Sequence, residues 1–326
     1  MRPTSKKIIR AAGIAAATAG LASLSAYVTA SCFLRIALDR KIPPAVQSAE
    51  KFISGVGKNR GISEFMAAVN AADEKLAARE NEVVEITAHD GEKLVGHWFP
   101  HEDPWRVIIS FHGWRSSWSR DFGMSFDSWQ ESGCSALIVE QRGQNNSGGD
   151  YMGFGLTERF DCLDWIDWVT RRCGSKIPIY LCGVSMGATT VLMATGLELP
   201  ENVHGVIADC GFTSPQAIWK HIANDNLHMP YGLQGAMADA IMRRKIQVES
   251  SAYSTIDALK TSRVPVIFIH GTEDHFVPVS MTYENYMACA APRRLFIVPG
   301  ASHGESYYLD RAGYEAAVRD FWREFD

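Results

Sequence analysis

The sequence has no closely spaced pair of cysteines, no low-complexity tract and no surplus of positive charge. Its seven cysteines are odd in number and scattered, with no C-x-x-C, so the pattern favours buried thiols over disulfides or metal ligands. The formal net charge is −5, and because residues 1–60 are rich in lysine and arginine, the rest of the chain is more acidic still. An acidic body argues against a nucleic-acid partner, since phosphate binding requires a basic face.

The chain length of 326 residues suits one large α/β domain with additions at its ends. From residue 83 onward, short apolar runs typical of strands alternate with helical stretches. Continuous apolar strands separated by helices are typical of a mostly parallel sheet that is covered on both faces. We predict such a sheet for residues 81–326. The runs are Val83–Thr87, Leu94–Phe99, Val107–Phe111, Ala136–Val139, Ile177–Cys182, Gly205–Ala208, Val264–His270 and Leu295–Val298.

The amino-terminal part contains a long stretch without charge. No charged residue lies from Ala11 to Leu34, and a basic flank at residues 2–10 precedes this stretch. A helix of this length would span about 36 Å, which is enough for the core of a bilayer. We therefore predict a membrane-spanning signal-anchor over residues 1–34, followed by a juxtamembrane connector over residues 35–80.

Two alternatives for this segment remain open. Val28-Thr29-Ala30 offers small residues for cleavage of a signal peptide, and the segment could also be a buried helix of a folded domain. The basic flank places the amino terminus inside, so we expect a single-pass protein whose catalytic domain lies outside the cytoplasmic membrane. Cleavage would instead give a secreted protein.

The pentapeptide Gly183–Gly187 has the pattern G-x-S-x-G. It follows the apolar run Ile177–Cys182 and precedes a helix-like stretch, Ala188–Leu197. A serine hydroxyl is a poor nucleophile unless a tight turn holds it exposed beside a base, and glycines relieve the crowding in such a turn. The start of the helix supplies backbone N–H groups for an oxyanion. The motif therefore predicts that Ser185 is a catalytic nucleophile.

A serine nucleophile needs a base, and a carboxylate that orients the base. The carboxylate should follow a late strand, where Asp274 lies just after Val264–His270. We choose Asp274 over Glu273 because the tight turn favours a short side chain. The base should follow the last strand, and His303 lies in a loop of small residues after Leu295–Val298.

Two backbone N–H groups should stabilise the oxyanion. One belongs to Met186, which follows the nucleophile. The other is expected in the loop after Val107–Phe111, where we choose Trp114, whose indole could also line an acyl pocket. We interpret His112 as a structural residue of this loop and Asp209 as a capping or loop residue.

The region Phe212–Lys260 interrupts the alternation of strands and helices with a helical sequence rich in methionine and histidine. Its length predicts a small helical lid over the carboxyl edge of the sheet, about residues 212–260. The region has more apolar side chains than a connection needs. They either select small or medium apolar acyl groups or bury the lid against the body.

Together these motifs resemble the α/β-hydrolase superfamily from about Val83 to the carboxyl terminus. More narrowly, the chain resembles bacterial membrane-tethered acyl esterases that are related to serine aminopeptidases. The matching segments are Phe111–Trp114, Glu140–Gly143, Gly183–Gly187, Ala208–Ser214, His270–Pro278 and His303. The resemblance implies an α/β-hydrolase fold and a serine esterase that cleaves small acyl esters through a Ser-His-Asp triad, without a cofactor or metal ion. The chain departs from the family at Gln144–Ser147, where a His-Gly pair and a serine are usual.

Two other functions remain open. An aminopeptidase or amidase would use the same residues and would need an acidic pocket for a substrate amine, for which Asp225 and Asp239 of the lid are candidates. A catalytically silent member of the family would bind without cleaving, although the complete set of serine, histidine and aspartate argues against it. The expected partners are a small acyl ester and, through residues 1–34, a membrane. The oligomeric state is not predicted.

Overall fold

The computed structural model describes residues 23–42 and 62–326. A sheet of eight strands forms the centre of the chain. The strands are β1 (Glu82–Thr87), β2 (Lys93–Phe99), β3 (Arg106–Phe111), β4 (Cys134–Glu140), β5 (Ile179–Val184), β6 (Val203–Asp209), β7 (Val266–Gly271) and β8 (Arg293–Val298).

Helices precede, connect and follow these strands. They are α1 (residues 23–38), α2 (Ile62–Ala77), α3 (Trp118–Phe122), α4 (Phe126–Glu131), α5 (Glu158–Cys173), α6 (Met186–Ala194), α7 (Pro215–His221), α8 (Gly232–Ile246), α9 (Thr255–Leu259), α10 (Val279–Ala288), α11 (Ser306–Leu309) and α12 (Arg311–Phe325). A π-helical turn, Ile222–Asn226, continues α7.

The strand order is β1-β2-β4-β3-β5-β6-β7-β8. β2 is antiparallel to both of its neighbours, whereas every pairing from β4 to β8 is parallel. Side chains of successive strand residues enter two apolar clusters on opposite faces: Val107 and Ile109 pack in one, and Ile108 in the other. The predicted mostly parallel sheet, covered on both faces, is confirmed.

The parallel strands bring four loops to one edge of the sheet. The loops after β3, β5, β7 and β8 begin at the carboxyl ends of these strands, and those ends share an edge because the strands are parallel. Ser185 follows β5, Asp274 follows β7 and His303 follows β8. Residues that are far apart in sequence therefore meet at this edge.

A third apolar cluster lies above this edge and includes part of the amino-terminal helix. Leu34 and Leu38 of α1 pack with residues between β6 and β7, among them Trp219 of α7 and Met242 of α8. Leu34 and Leu38 are fully buried. Helices α7, α8 and α9 fall within the region 212–260, for which the sequence predicts a lid.

The prediction of a membrane-spanning signal-anchor is wrong. Within residues 23–42 and 62–326, no helix is both long and apolar enough to cross a bilayer. The expected membrane partner and the position outside the cytoplasmic membrane depended on that helix and are withdrawn with it. The physical reason is visible in α1, whose apolar residues 34, 37 and 38 are covered by protein side chains. Residues 1–22 of the predicted segment lie outside the described residues.

Polar contacts fix the carboxyl end of α1 to the loop after β3. The guanidinium of Arg115 donates to the carbonyls of Ile36 and Asp39 at 2.7 and 2.6 Å, and the indole N–H of Trp114 donates to the carbonyl of Ala37 at 2.9 Å. A cation at the carboxyl end of a helix satisfies carbonyls that have no partner within the helix. Helix α1 therefore supports the loop that carries Trp114.

Candidate active site

Ser185 occupies a strained turn between β5 and α6. Its backbone has φ 55° and ψ −114°, in the left-handed half of conformational space that residues with a side chain rarely adopt. The turn is compact because two glycines allow close contact: a Cβ on Gly183 would lie 2.3 Å from the carbonyl carbon of Gly187, and one on Gly187 would lie 1.8 Å from the carbonyl oxygen of Phe111. The G-x-S-x-G spacing is thus explained by close backbone contacts on both sides of the serine, which leave no room for a Cβ at Gly183 or Gly187.

Replacing Gly187 with alanine is expected to lower the free energy of unfolding by at least about 2 kcal/mol, because its methyl group would collide with the backbone of β3. Urea denaturation measures this change. The control is Gly232→Ala at the start of α8, where a Cβ would have no neighbour within 4 Å. Equal stability of the two variants would contradict the steric account of the turn.

The three residues that the sequence predicts as a triad are hydrogen-bonded in series. The Ser185 hydroxyl lies 3.0 Å from Nε2 of His303, and Nδ1 of His303 lies 2.6 Å from Oδ2 of Asp274. Because Asp274 offers an acceptor, the proton of the neutral imidazole sits on Nδ1 and leaves Nε2 to accept from Ser185. This geometry allows a proton to pass from the serine hydroxyl to the imidazole.

Asp274 is held by donors on both of its oxygens. Oδ1 accepts the backbone N–H groups of Phe276 and Val277 at 3.0 and 2.8 Å, and Oδ2 accepts His270 Nε2 at 3.0 Å as well as His303. Nδ1 of His270 in turn lies 2.6 Å from the hydroxyl of Thr282. Four donors around one buried carboxylate stabilise its charged form.

The electrostatics of this pair suit a base that is assisted by a permanent anion. Although burial raises the pKa of Asp274, the imidazole of His303 and the surrounding donors outweigh it and hold the pKa well below its usual range. Burial lowers the pKa of His303, but the facing Asp274 carboxylate outweighs burial and raises the pKa well above the usual value of histidine. Asp274 therefore stabilises the imidazolium that proton transfer would create.

The predicted oxyanion donors are close to Ser185: Trp114 lines the same cavities as Ser185, and Met186 follows it in the chain. Met186 begins α6, and Trp114 follows Gly113, whose own N–H is used by Asp121 Oδ2 at 2.6 Å. Among the described residues, neither the Met186 nor the Trp114 backbone N–H donates to a protein acceptor. The oxyanion role requires N–H groups without a protein acceptor, and the assignment of these two stays a prediction.

Two cavities meet at Ser185 and differ in character. The larger, of about 420 Å³, is lined by His303 and by charged side chains that include Arg120, Asp121 and Glu305, among many apolar and aromatic side chains. The smaller, of about 30 Å³, is lined almost entirely by apolar and aromatic side chains. This smaller cavity is called the inner cavity below. Its lining residues are Phe33, Ile36, Ala37, Trp114, Phe154, Phe212, Ile218, Trp219, Ile222 and Phe276 beside Ser185.

The titratable neighbours have structural partners. His112 is fully buried, which lowers its pKa, and its Nε2 accepts the backbone N–H of Gln141 at 3.2 Å. Burial raises the pKa of Asp209 to about 6, and its Oδ1 accepts the hydroxyl of Ser306 at 3.3 Å. These contacts agree with the interpretation of His112 and Asp209 as residues that support the loops.

Two groups of described side chains lie close enough together to consider a metal ion. One combines Cys210 with Asp274 and His303, but burial raises the pKa of the Cys210 thiol to about 11, and a protonated thiol is a poor ligand. The other includes Asp161, which already forms a buried ion pair with Arg142. Neither donor set favours a resident cation.

Sequence reasoning missed two features of the site. His270 and Thr282 support Asp274, although His270 was visible as the last residue of a predicted strand. Helix α1 lines the inner cavity through Phe33 and Ile36, whereas the sequence assigns Phe33 to the predicted membrane segment and Ile36 to the predicted connector. The small residues of that segment were the signal that could have favoured a packed helix.

Comparisons with known proteins agree with this architecture. A family model described as "Alpha/beta hydrolase family" matches residues 107–317. The uncharacterized protein YqkD of Bacillus subtilis (strain 168) is 25% identical over 225 residues, which cover 69% of this chain and 73% of that protein. The uncharacterized protein YfhR of Escherichia coli (strain K12) is 27% identical over 250 residues, covering 74% and 80%.

Solved structures share the fold. The esterase Pf2001 of Pyrococcus furiosus superposes with a TM-score of 0.63 at 20% identity, covering 77% of this chain and 93% of that one. The alpha/beta hydrolase GrgF from Penicillium sp. sh18 superposes with a TM-score of 0.59 at 18% identity, covering 76% and 99%. At these identities the likeness concerns the fold, and it confirms the predicted architecture.

Proposed function

Because this chain belongs to the alpha/beta hydrolase family, we propose that it is a serine hydrolase that cleaves carboxylic esters through an acyl-enzyme. The observation that carries the proposal is the hydrogen-bonded series of Ser185, His303 and Asp274 at the carboxyl edge of the sheet. Within the family, we place the chain with the acyl esterases that resemble serine aminopeptidases.

In the proposed mechanism, Ser185 Oγ attacks the ester carbonyl while its proton passes to Nε2 of His303. The Trp114 and Met186 amides stabilise the negative oxygen of the tetrahedral intermediate. Collapse of this intermediate breaks the bond to the alcohol, which leaves with the proton from His303. Water then attacks the acyl-enzyme with His303 as base, and the acid is released as Ser185 regains its proton.

The two cavities support one orientation of the substrate. The leaving alcohol must receive its proton from His303, so it belongs in the larger cavity, which His303 lines. The acyl group then falls in the inner cavity, whose apolar side chains come from α1, the loop after β3, the segment between β4 and α5, the region between β6 and β7, and the loop after β7. Polar groups of the substrate would accordingly lie on the alcohol side, near Arg120 and Glu305.

The aminopeptidase alternative requires a carboxylate that binds a substrate amine. Asp239 accepts the backbone N–H of Ser250 at 3.0 Å, Asp225 pairs with His221, and neither carboxylate lines a cavity at Ser185. In the larger cavity, Asp121 already accepts the N–H of Gly113 at 2.6 Å and Glu305 that of Ser302 at 3.0 Å. An alkoxide also leaves more readily than an amine. We therefore favour esters over aminoacyl amides.

A panel of p-nitrophenyl esters and aminoacyl anilides tests this choice. We expect ester hydrolysis with kcat/KM at least about tenfold above that of any anilide, a difference of about 1.4 kcal/mol in transition-state binding. The Asp274→Asn variant identifies background hydrolysis. Faster cleavage of the anilides would assign the chain to the aminopeptidase alternative.

The pH dependence follows from the raised pKa of His303. The imidazole must be neutral to accept the serine proton, so kcat/KM is expected to rise with pH and to reach half its maximum above pH 6.5, the ordinary pKa of histidine. Below that point the imidazolium cannot act as a base. A pH profile of ester hydrolysis checks the sign, and an activity that falls as the pH rises from 6 to 8 would contradict it.

A further inference from the structure

A second apolar cavity lies beyond the inner cavity, between α1 and the segment that contains α8. This outer cavity has a volume of about 240 Å³ and a lining that is almost wholly apolar. Phe33 and Ile36 line both cavities, so these two side chains form part of a wall that the cavities share. Apolar lining therefore extends from Ser185, past these two residues of α1, to the outer cavity.

We propose that the outer cavity receives the distal part of a medium-chain acyl group, so that the chain's substrates are esters of linear fatty acids of about ten carbons. This inference rests on the proposed function, because it assigns the occupant from the position of Ser185. The inner cavity, at about 30 Å³, holds little more than the first methylenes of an acyl group. From the inner cavity, a longer chain would continue along α1 toward the outer cavity.

The dimensions of the path set the expected chain length. The face of α1 that lines the outer cavity runs from Thr29 to Ile36, about 10 Å along the helix. A fully extended chain advances about 3.5 Å for every three bonds, so this face accommodates about eight bonds of an acyl chain. Together with the carbons beside Ser185, the total is about ten carbons.

The chemistry of the lining favours an alkyl chain over a polar ligand. Ala30 on α1, Ala223 on the π-helical turn and Ala238 on α8 are buried, and their small side chains leave the space between the helices open. Leu227 and Met229 add further apolar surface. Each methylene moved from water into such a site contributes about fourfold in kcat/KM.

Helix α1 thus becomes a determinant of specificity for the site at Ser185. The same helix supports Trp114 through the carbonyl of Ala37, so the acyl path and the predicted oxyanion loop share one structural element. The wild-type protein is expected to show kcat/KM that rises from butyrate to decanoate esters and levels off beyond that length.

A chemical block of the outer cavity tests the proposal in the folded wild-type protein. The thiol of Cys32 is half-buried and belongs to the cavity lining, so octyl methanethiosulfonate would fill the cavity with an alkyl group. We expect the ratio of kcat/KM for decanoate to that for butyrate to fall at least tenfold, and dithiothreitol to restore it. The Cys32→Ser protein, treated in the same way, controls for reaction at the other thiols.

A pair of substitutions provides a second measurement. Ala30→Phe fills the outer cavity and is expected to lower the same ratio at least tenfold, whereas Val28→Phe, at a position that is 58% exposed on the same helix, should leave the chain-length profile unchanged. Thermal unfolding of both variants shows whether each is folded, and the thiol block supplies the answer if Ala30→Phe is not.

The outcomes separate this proposal from the proposed function. Ester hydrolysis with a ratio that neither the block nor Ala30→Phe changes would overturn the acyl path while leaving the serine esterase intact. Failure of Cys32 to react would show that the cavity is closed to ligands and would also overturn it. If the wild type hydrolyses no ester and Ser185 reacts with no fluorophosphonate, the proposed function itself fails.

Discussion

Replacement of Ser185 by alanine is expected to lower kcat for ester hydrolysis by a factor of about 10⁴ to 10⁶. The change removes the atom that forms the acyl-enzyme in the proposed mechanism, so only the binding groups and the predicted oxyanion amides remain to act on a water molecule. Steady-state kinetics with a p-nitrophenyl ester, together with a fluorophosphonate probe that should label only the wild type, measure the loss.

The Ser185→Ala variant should keep the backbone conformation of the turn, so a loss of activity can be assigned to the missing hydroxyl. Alanine and serine differ by one oxygen and experience the same cost at φ 55°, so the strained turn should persist and the melting temperature should change little. The matched control is Ser110→Ala on β3, which deletes a buried hydroxyl that has no hydrogen-bond partner among the described residues. Normal activity of Ser185→Ala, or a comparable loss in Ser110→Ala, would refute the role of Ser185.

Asp274→Asn is expected to lower kcat by about 10⁴. All four contacts of the Asp274 carboxylate are donors, so an asparagine must turn its NH₂ group toward either the two backbone amides or the two imidazoles. Contact with His303 would favour the tautomer whose Nε2 carries a proton, and that nitrogen cannot accept from Ser185. If the NH₂ group instead faced the backbone amides of Phe276 and Val277, these two buried N–H groups would lose their acceptor, and the free energy of unfolding would fall by about 1–3 kcal/mol.

Glu273→Gln is the control for this position. The Glu273 side chain is exposed and lies 3.7 Å from His275, so its charge should matter little to catalysis or stability. Kinetic constants and thermal unfolding of the two variants separate the neighbouring carboxylates. A severe loss of kcat in Glu273→Gln with a mild loss in Asp274→Asn would assign the triad carboxylate to Glu273 and contradict the hydrogen-bond geometry.

The sheet and the candidate triad could be predicted because their signals are local. Every strand was visible as a short apolar run, and the parallel arrangement follows from strands that alternate with helices. Once the strands are known, the residues after their carboxyl ends must share an edge. Ser185, Asp274 and His303 therefore fall together without any knowledge of their side-chain contacts.

The surroundings of α1 could not be predicted because composition does not say what covers an apolar helix. Lipid and protein are both apolar environments, so the same residues suit a bilayer or the third cluster above the sheet edge. The contacts that decide the matter join distant parts of the chain: Trp114 reaches the carbonyl of Ala37, and Lys245 pairs with Asp39 at 2.6 Å. No local pattern in residues 23–39 encodes them.

His270 was missed for a related reason. Its imidazole lies within a predicted strand, where a single polar residue in an apolar run carries no indication of its partner. Nε2 of His270 meets Asp274, four residues later, because the turn after β7 returns toward the strand. Nδ1 of His270 meets Thr282 because α10 packs beside β7. Support of the Asp274 carboxylate by a buried histidine is thus a property of the tertiary structure.

The measurement that tests the central claim most directly is the site and stoichiometry of a fluorophosphonate adduct. Wild-type protein is titrated with the probe, residual ester hydrolysis is followed, and the labelled peptide is identified by mass spectrometry. The account predicts one adduct per chain, located on Ser185, with hydrolysis lost in proportion to labelling. An adduct on a different residue, or full hydrolytic activity in a chain whose Ser185 is labelled, would contradict it.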